Sequence, residues 1–196
     1  MNLVDKYLIE CVANRNYNWC TQNLYINVDQ PFLPTSGQEE ILLTRDNVKA
    51  FLMPRGSGAS TIIAMDAITE ASLNPMSEVM IFVQNQLAVS QMLKRIKDIL
   101  NYSSIETLKT SLRTNRDHIL LDNQSIIKIV TPNPACYVGY RPNAMYIDNF
   151  DMINSEDLSN IFNRLMYRTN KVLIIGNNVN SYEATQRIVN INQNQI

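Results

Sequence analysis

Between Phe51 and Thr61 the chain reads FLMPRGSGAST, two glycines separated by one residue and followed by two hydroxyl side chains. A phosphate-binding loop of pattern G-x-x-x-x-G-K-[ST] uses glycines for backbone freedom, a lysine for the β- and γ-phosphates and a hydroxyl for Mg²⁺. Gly56 and Gly58 supply the freedom, with Ser57 between them, and Ser60 or Thr61 could hold Mg²⁺. Ala59 stands at the lysine position and Met53 where the first glycine belongs. A methyl group cannot replace a charge-assisted hydrogen bond, which contributes about 1.5–3 kcal/mol. Arg55, at the loop entrance, is the nearest cation in sequence that could stand in for the lysine. Read blandly, the same residues are a tight turn with a solvated arginine.

A second group lies downstream. AMYID is a short apolar run ending on Asp148, where a strand-end carboxylate beside such a loop would organise Mg²⁺. Asn149 follows, where a glutamate would activate the attacking water; an amide is a very poor general base. Asp151 is near, without any requirement that it point the same way. KVLIIGNN ends in Asn177 and Asn178, small polar residues placed either to sense a terminal phosphate or to form an ordinary Asn-rich turn. His118 is the only histidine, which removes support for a histidine-based triad or metal site. Lys94, Arg95 and Lys97 form a basic helix face, read as solvated surface or a small DNA-facing patch, and Tyr17, Trp19 and Tyr25 read as packing before base stacking.

The elements around these residues follow from periodicity. Apolar spacing predicts a short helix over 3–13, and Asn23–Val28 suits a strand. Thr35 or Ser36 is placed to cap a helix through Leu43, and Asn47–Met53 is a strand entering the glycine loop. STIIAMDAITEASL continues as a helix until Asn74-Pro75 stops it. Glu78–Gln84 is a buried strand, and QLAVSQMLKRIKDILNY has the i, i+3, i+4, i+7 pattern of an amphipathic helix. HILLDNQSIIKIVT reads as two strands about Asp122-Asn123, PNPACYVGYRPN as loop, SEDLSNIFNRLMYR as a helix capped by Ser155, and KVLIIGNN as a last strand. Apolar strands alternating with helices imply an α/β fold with a mostly parallel sheet flanked by helices. The organisation expected is a small N-terminal helical segment over 1–45, a nucleotide-binding-type domain over 46–190 and a frayed tail over 191–196.

Composition narrows the classes. The 196 residues, 45% hydrophobic and 18% charged, suit one globular domain. A net charge of −1 is unlike a non-specific nucleic-acid coat, so any DNA contact must come from a local patch. Three scattered cysteines without a C-x-x-C pair point to a reducing intracellular compartment, and the apolar runs are too short to span a bilayer. Charges interrupt the N-terminal apolar stretch, which is unlike a signal peptide.

In order, these segments resemble the ATPase domain of viral genome-packaging terminase large subunits of tailed phages and herpesviruses, a P-loop NTPase of RecA/ASCE-like fold. The likeness runs from about Gln30 to Ser181. LPTSGQEEIL resembles the family's glutamine-containing segment, making Gln38 the implied adenine contact. MPRGSGAST is similar to its Walker A, with Arg55 as the preceding arginine. VGYRPNAMYIDNFDMI resembles the arginine-bearing loop and Walker B, with Arg141 in that loop and Asp148 as the Mg²⁺ acid. KVLIIGNN falls at the coupling motif. The resemblance implies ATP and Mg²⁺ as ligands, viral double-stranded DNA as substrate, and portal protein and a small terminase subunit as partners. It also implies a homo-oligomeric ring or hetero-complex, in the cytoplasm or nucleus of an infected host and away from membranes. Ala59, Asn149 and Gly176-Asn177-Asn178 depart from its pattern. They leave three readings: an impaired packaging ATPase, a non-hydrolysing structural or regulatory pseudo-ATPase, and a helicase-type nucleic-acid motor. The family's nuclease domain has no counterpart here, so an isolated ATPase domain, a split subunit or a shortened relative is expected.

Overall fold

The computed structural model describes residues 3–44, 48–105, 108, 113–114, 117–165 and 169–177. Along the chain run α1 (Leu3–Asn23), β1 (Tyr25–Asn27), β2 (Gln30–Pro31), α2 (Ser36–Leu43), β3 (Val48–Leu52), α3 (Ala59–Leu73) and β4 (Glu78–Phe82). They are followed by α4 (Gln86–Tyr102), β5 (Arg113–Thr114), β6 (His118–Leu120), β7 (Ile126–Val130), β8 (Ala144–Asp148), α5 (Ser155–Leu165) and β9 (Lys171–Gly176). Single 3₁₀ turns occupy Pro134–Cys136 and Phe150–Met152.

Among the described residues seven strands form the main sheet in the order β3-β9-β8-β4-β7-β6-β5. The first five are parallel, and β6 and β5 extend the edge antiparallel, so the α/β reading holds. Near-continuous apolar strands are what such a sheet requires, because both faces are covered. The period of two sorts them: Val79, Ile81, Tyr146 and Leu173 face the layer of α1 to α4, while Met80, Phe82, Ile147 and Ile174 face α5 and the 3₁₀ turns. Burying each large apolar side chain contributes roughly 1.5–3 kcal/mol, so the two layers carry most of the stabilisation. Among the described residues no helix is long and apolar enough to cross a membrane.

Several expectations shift. α1 runs through Asn23 instead of ending near residue 13, because Cys20, Tyr17 and Trp19 pack onto the α3 layer and hold a poor helix-forming sequence in register. Tyr17 and Trp19 are thus packing groups. Leu24, Phe32 and Ile41 share that same hydrophobic cluster, so residues of the N-terminal segment pack directly on the sheet-covering helices. Thr35 is the N-cap of α2, but Asn154, not Ser155, caps α5: its Oδ1 accepts from the Asp157 N–H at 2.8 Å. The tail over 191–196 lies outside the described residues.

Two consequences position the site. First, β9 lies between β3 and β8, so the loops leaving the C-terminal ends of these parallel strands converge, as ligand crevices of open α/β sheets do. Second, α3 is finished very differently at its two ends. Its last carbonyls are bonded by side chains, Asn123 Nδ2 donating to Ala71 O at 2.8 Å and Asn74 Nδ2 to Glu70 O at 3.0 Å. Its N-cap is Gly58, which has no side chain to cap with, and the first turn holds no acid.

Candidate functional site

β3 delivers the chain into Pro54–Gly58, and two left-handed glycines turn it back into α3. Gly56 has φ +83° and Gly58 φ +86°, values L side chains rarely adopt. A Cβ at Gly58 would also stand 2.6 Å from Gln38 Nε2, so a side chain there would be strained by the backbone and would displace that amide. Gln38, 8% exposed, braces the turn: Nε2 donates to Ser57 O at 2.8 Å and Oε1 accepts from Thr35 N at 2.9 Å. Its amide therefore joins the start of α2 to the loop, leaving one lone pair and one N–H for any further contact.

Within α3 the Thr61 and Ile62 amides bond back to Gly58 O, so the N–H groups that begin the helix are left without intrahelical partners. Together with the helix dipole they favour an anion in front of Gly58 and Ala59. A cavity of about 560 Å³ lies there. The loop contributes Arg55, Gly56 and Gly58, α3 contributes Ala59, Ser60 and Thr61, and the strand ends contribute Gln84, Asn149 and Asn177; Arg95 and Met152 complete it. Two arginines and three amides make this lining complementary to a polyanion.

The acid at the end of β8 meets the loop from below. Tyr146 and Asp148 lie on the α3 face by strand alternation, and Ser60 Oγ donates to Asp148 Oδ2 at 2.7 Å across 88 residues of sequence. Asp148 is 4% exposed, and its other oxygen, Oδ1, is buried without a partner. Burial raises its pKa; the Ser60 hydroxyl, the Arg95 charge and the Asn149 backbone N–H pull it down, and Asp151 raises it. An unsatisfied buried carboxylate oxygen costs about 1–3 kcal/mol. A cation resting on Oδ1 would remove that cost. Among the described residues no cluster of three or more His, Cys, Asp or Glu could cage a metal. One carboxylate and one hydroxyl suit Mg²⁺, which takes its remaining ligands from phosphates and water.

Among the described residues, the rest of the strand-end rim carries no carboxylate into the cavity. Asn149 is left-handed (φ +53°), a conformation asparagine tolerates, and lines the cavity with an amide. Asp151 is tied elsewhere: its Oδ1 accepts from the Asn177 N–H at 2.9 Å, holding the end of β9 against the Phe150–Met152 turn. Gly176 permits that approach, since a Cβ there would stand in the Phe150 ring.

Most residues singled out in the sequence thus converge: Arg55, Gly56, Gly58, Ala59, Ser60, Thr61, Asn149 and Asn177 line one cavity. Ser57 sits behind the loop with its hydroxyl buried and unpaired, and Asn178 lies outside the described residues. Arg141 is not brought to the cavity. It precedes β8, in the segment whose Asn143 N–H bonds Glu78 O at 2.7 Å at the start of β4, a strand length of roughly 16 Å from Asp148. The loop before a parallel strand necessarily lies at the opposite edge from the loop after it. Three lining residues, Gln84, Arg95 and Met152, were not singled out as site residues. Gln84 follows β4, whose adjacency to β8 only the sheet order reveals. Arg95, read from sequence as part of a surface face, reaches over α3, and its Nη1 donates to Thr61 Oγ1 at 2.6 Å.

No family model and no curated protein matches the chain. Solved structures do. The large terminase of bacteriophage HK97 superposes with a TM-score of 0.70 at 12% identity, over 84% of this chain and 37% of that one. The large terminase ATPase domain of Thermus phage P74-26 gives 0.60 at 18% identity, over 74% of this chain and 65% of that one. The UvsW helicase of bacteriophage T4 gives 0.61 at 15% identity, over 89% of this chain and 64% of that one. The chain has the α/β fold of terminase ATPase and helicase P-loop domains, and spans less than two thirds of each of these proteins.

Proposed function

We propose that this chain, with the fold of large-terminase ATPase domains, binds Mg²⁺ and ATP in the cavity in front of α3 and serves a viral DNA-packaging motor. One observation carries the nucleotide reading: the buried, unpartnered Asp148 Oδ1, bonded through its carboxylate to Ser60 at the mouth of an uncapped helix. Asp148 and Ser60 would hold Mg²⁺, whose chemistry there is to neutralise charge on the phosphates. The amides at the start of α3 would cradle phosphate oxygens, with Arg55 closing the outer lip. Gln38 fixes the loop's shape and, with its remaining capacity, is the proposed adenine contact.

Asn149 stands where a base would take a proton from water, and an amide cannot accept it, so turnover is proposed to be weak. By the terminase likeness the polymer acted on is double-stranded DNA, with portal and small-subunit partners in an oligomeric assembly inside the infected cell. Similarity to UvsW over 89% of the chain supports a second reading, a helicase-type motor. Calorimetric titration with Mg-ATP tests the first step, and repetition with double- or single-stranded DNA present separates the two motors. Saturable Mg²⁺-dependent binding, enhanced by duplex, is expected; enhancement by single strands alone favours the helicase reading. No binding at millimolar nucleotide overturns the nucleotide site itself.

A further inference from the structure

A triphosphate brings several negative charges to a loop whose lysine position is a methyl group, so the site needs a cation from elsewhere. We infer that Arg95, on α4, is the phosphate-binding cation of this cavity and replaces from a neighbouring helix the lysine that Ala59 lacks. This inference rests on the nucleotide reading above and adds a residue to it. α4 is fixed by its own cap, Asn85 Oδ1 accepting from Ala88 N at 3.0 Å, and by the buried seam Val89, Met92, Ile96 and Ile99. Arg95 sits at the edge of that seam, between Met92 and Ile96, so its side chain leaves the helix directly over the start of α3. There its guanidinium is held by Thr61 Oγ1 at 2.6 Å and lines the same cavity as Ala59 and Ser60. Its two basic neighbours on α4, Lys94 and Lys97, are not part of the cavity wall, so the structure singles out one cation of the three.

The guanidinium has donors to spare. One N–H engages Thr61, and a planar fork presents others to phosphate oxygens in the bidentate geometry that arginine favours. Thr61 then acts as a positioning residue, aiming the arginine before a ligand arrives.

The test is equilibrium titration of the purified chain with AMP, ADP and ATP in Mg²⁺, for the wild type and Arg95→Ala, Arg95→Lys, Arg55→Ala and Lys94→Ala. Arg95→Ala is expected to weaken ATP roughly 10- to 100-fold, the worth of a charge-assisted hydrogen bond, with a smaller loss for AMP. Arg95→Lys is expected to recover part of the affinity, and Lys94→Ala to stay within about twofold. In an Ala59→Lys background the Arg95→Ala loss should shrink, because the restored lysine serves the same phosphates. Wild-type binding that Arg95→Ala leaves intact, or that Arg55→Ala alone abolishes, overturns the inference and spares the nucleotide reading. An equal loss for AMP and ATP, with a lowered melting temperature, shows a structural role and also overturns it. A wild type that binds none of the three nucleotides overturns the nucleotide reading.

Discussion

Asp66 and Asp148 are both buried acids between α3 and the same face of the sheet, 4% exposed each, and they are treated in opposite ways. At the N-terminal edge, Asp66 receives Lys171 Nζ at 2.8 Å and the Tyr146 hydroxyl at 3.3 Å, and Lys171 also reaches Glu70 at 3.4 Å. Burial alone would lower the Lys171 ammonium; Asp66 and Glu70 outweigh it and raise its pKa. At the C-terminal edge, Asp148 has a serine on one oxygen and nothing on the other. The first acid is closed by the protein's own charges and locks α3 to the sheet. The second is left open, beside an uncapped helix and an arginine-lined cavity. Equal burial with unequal satisfaction is how a structural acid and a ligand-binding acid differ.

That contrast predicts opposite responses. Lys171→Met should have the largest effect: it strands Asp66 and Glu70 without their counter-charge and should cost about 3–5 kcal/mol of stability. Chemical denaturation of the variant measures this, and its nucleotide affinity should stay at the wild-type value. Asn149→Glu comes next. A carboxylate at that position should raise steady-state ATP turnover on the order of 10²-fold, the lower end of what a positioned base contributes. Its left-handed backbone should lower stability by about 1–2 kcal/mol.

Asp148→Asn should do the reverse of Lys171→Met. Removing the buried charge should stabilise the free protein by roughly 1 kcal/mol, or about 2–4 °C, while ending the Mg²⁺ dependence of binding. The pH dependence has a definite sign. Burial raises the folded-state pKa of Asp148 above its ordinary 3.8, so ionisation opposes folding, and that stability is lost as pH rises from the ordinary value through the raised one. The melting-temperature gap between Asp148→Asn and wild type should therefore close in acid and be complete at neutral pH. Gly58→Ala, at φ +86° and against Gln38, should cost about 1–2 kcal/mol and weaken nucleotide binding by distorting the loop. Circular dichroism melts and titration of that variant check both effects.

The sequence held much of this, and its gaps have physical causes. Apolar runs marked β3, β4, β8 and β9 because a sheet covered on both faces needs them. The glycine loop and Asp148 were each legible locally; only the sheet order, with β9 between β3 and β8, shows how Ser60 and Asp148, 88 residues apart, come to meet. β2 and β5 are two-residue strands fixed by their partners, with no local signal. Arg95 was hidden because a basic helix face looks the same in sequence whether it meets water or a neighbouring helix end. Arg141, placed by resemblance in the loop that enters β8, lies a strand length from Asp148, a separation that only the direction of β8 shows.

The most direct test of the open acid is calorimetric titration of wild type and Asp148→Asn with ATP, each in Mg²⁺ and in EDTA. The account predicts that Mg²⁺ tightens binding to the wild type and makes no difference to Asp148→Asn. Wild-type binding indifferent to Mg²⁺, or an undiminished Mg²⁺ effect in Asp148→Asn, would contradict it.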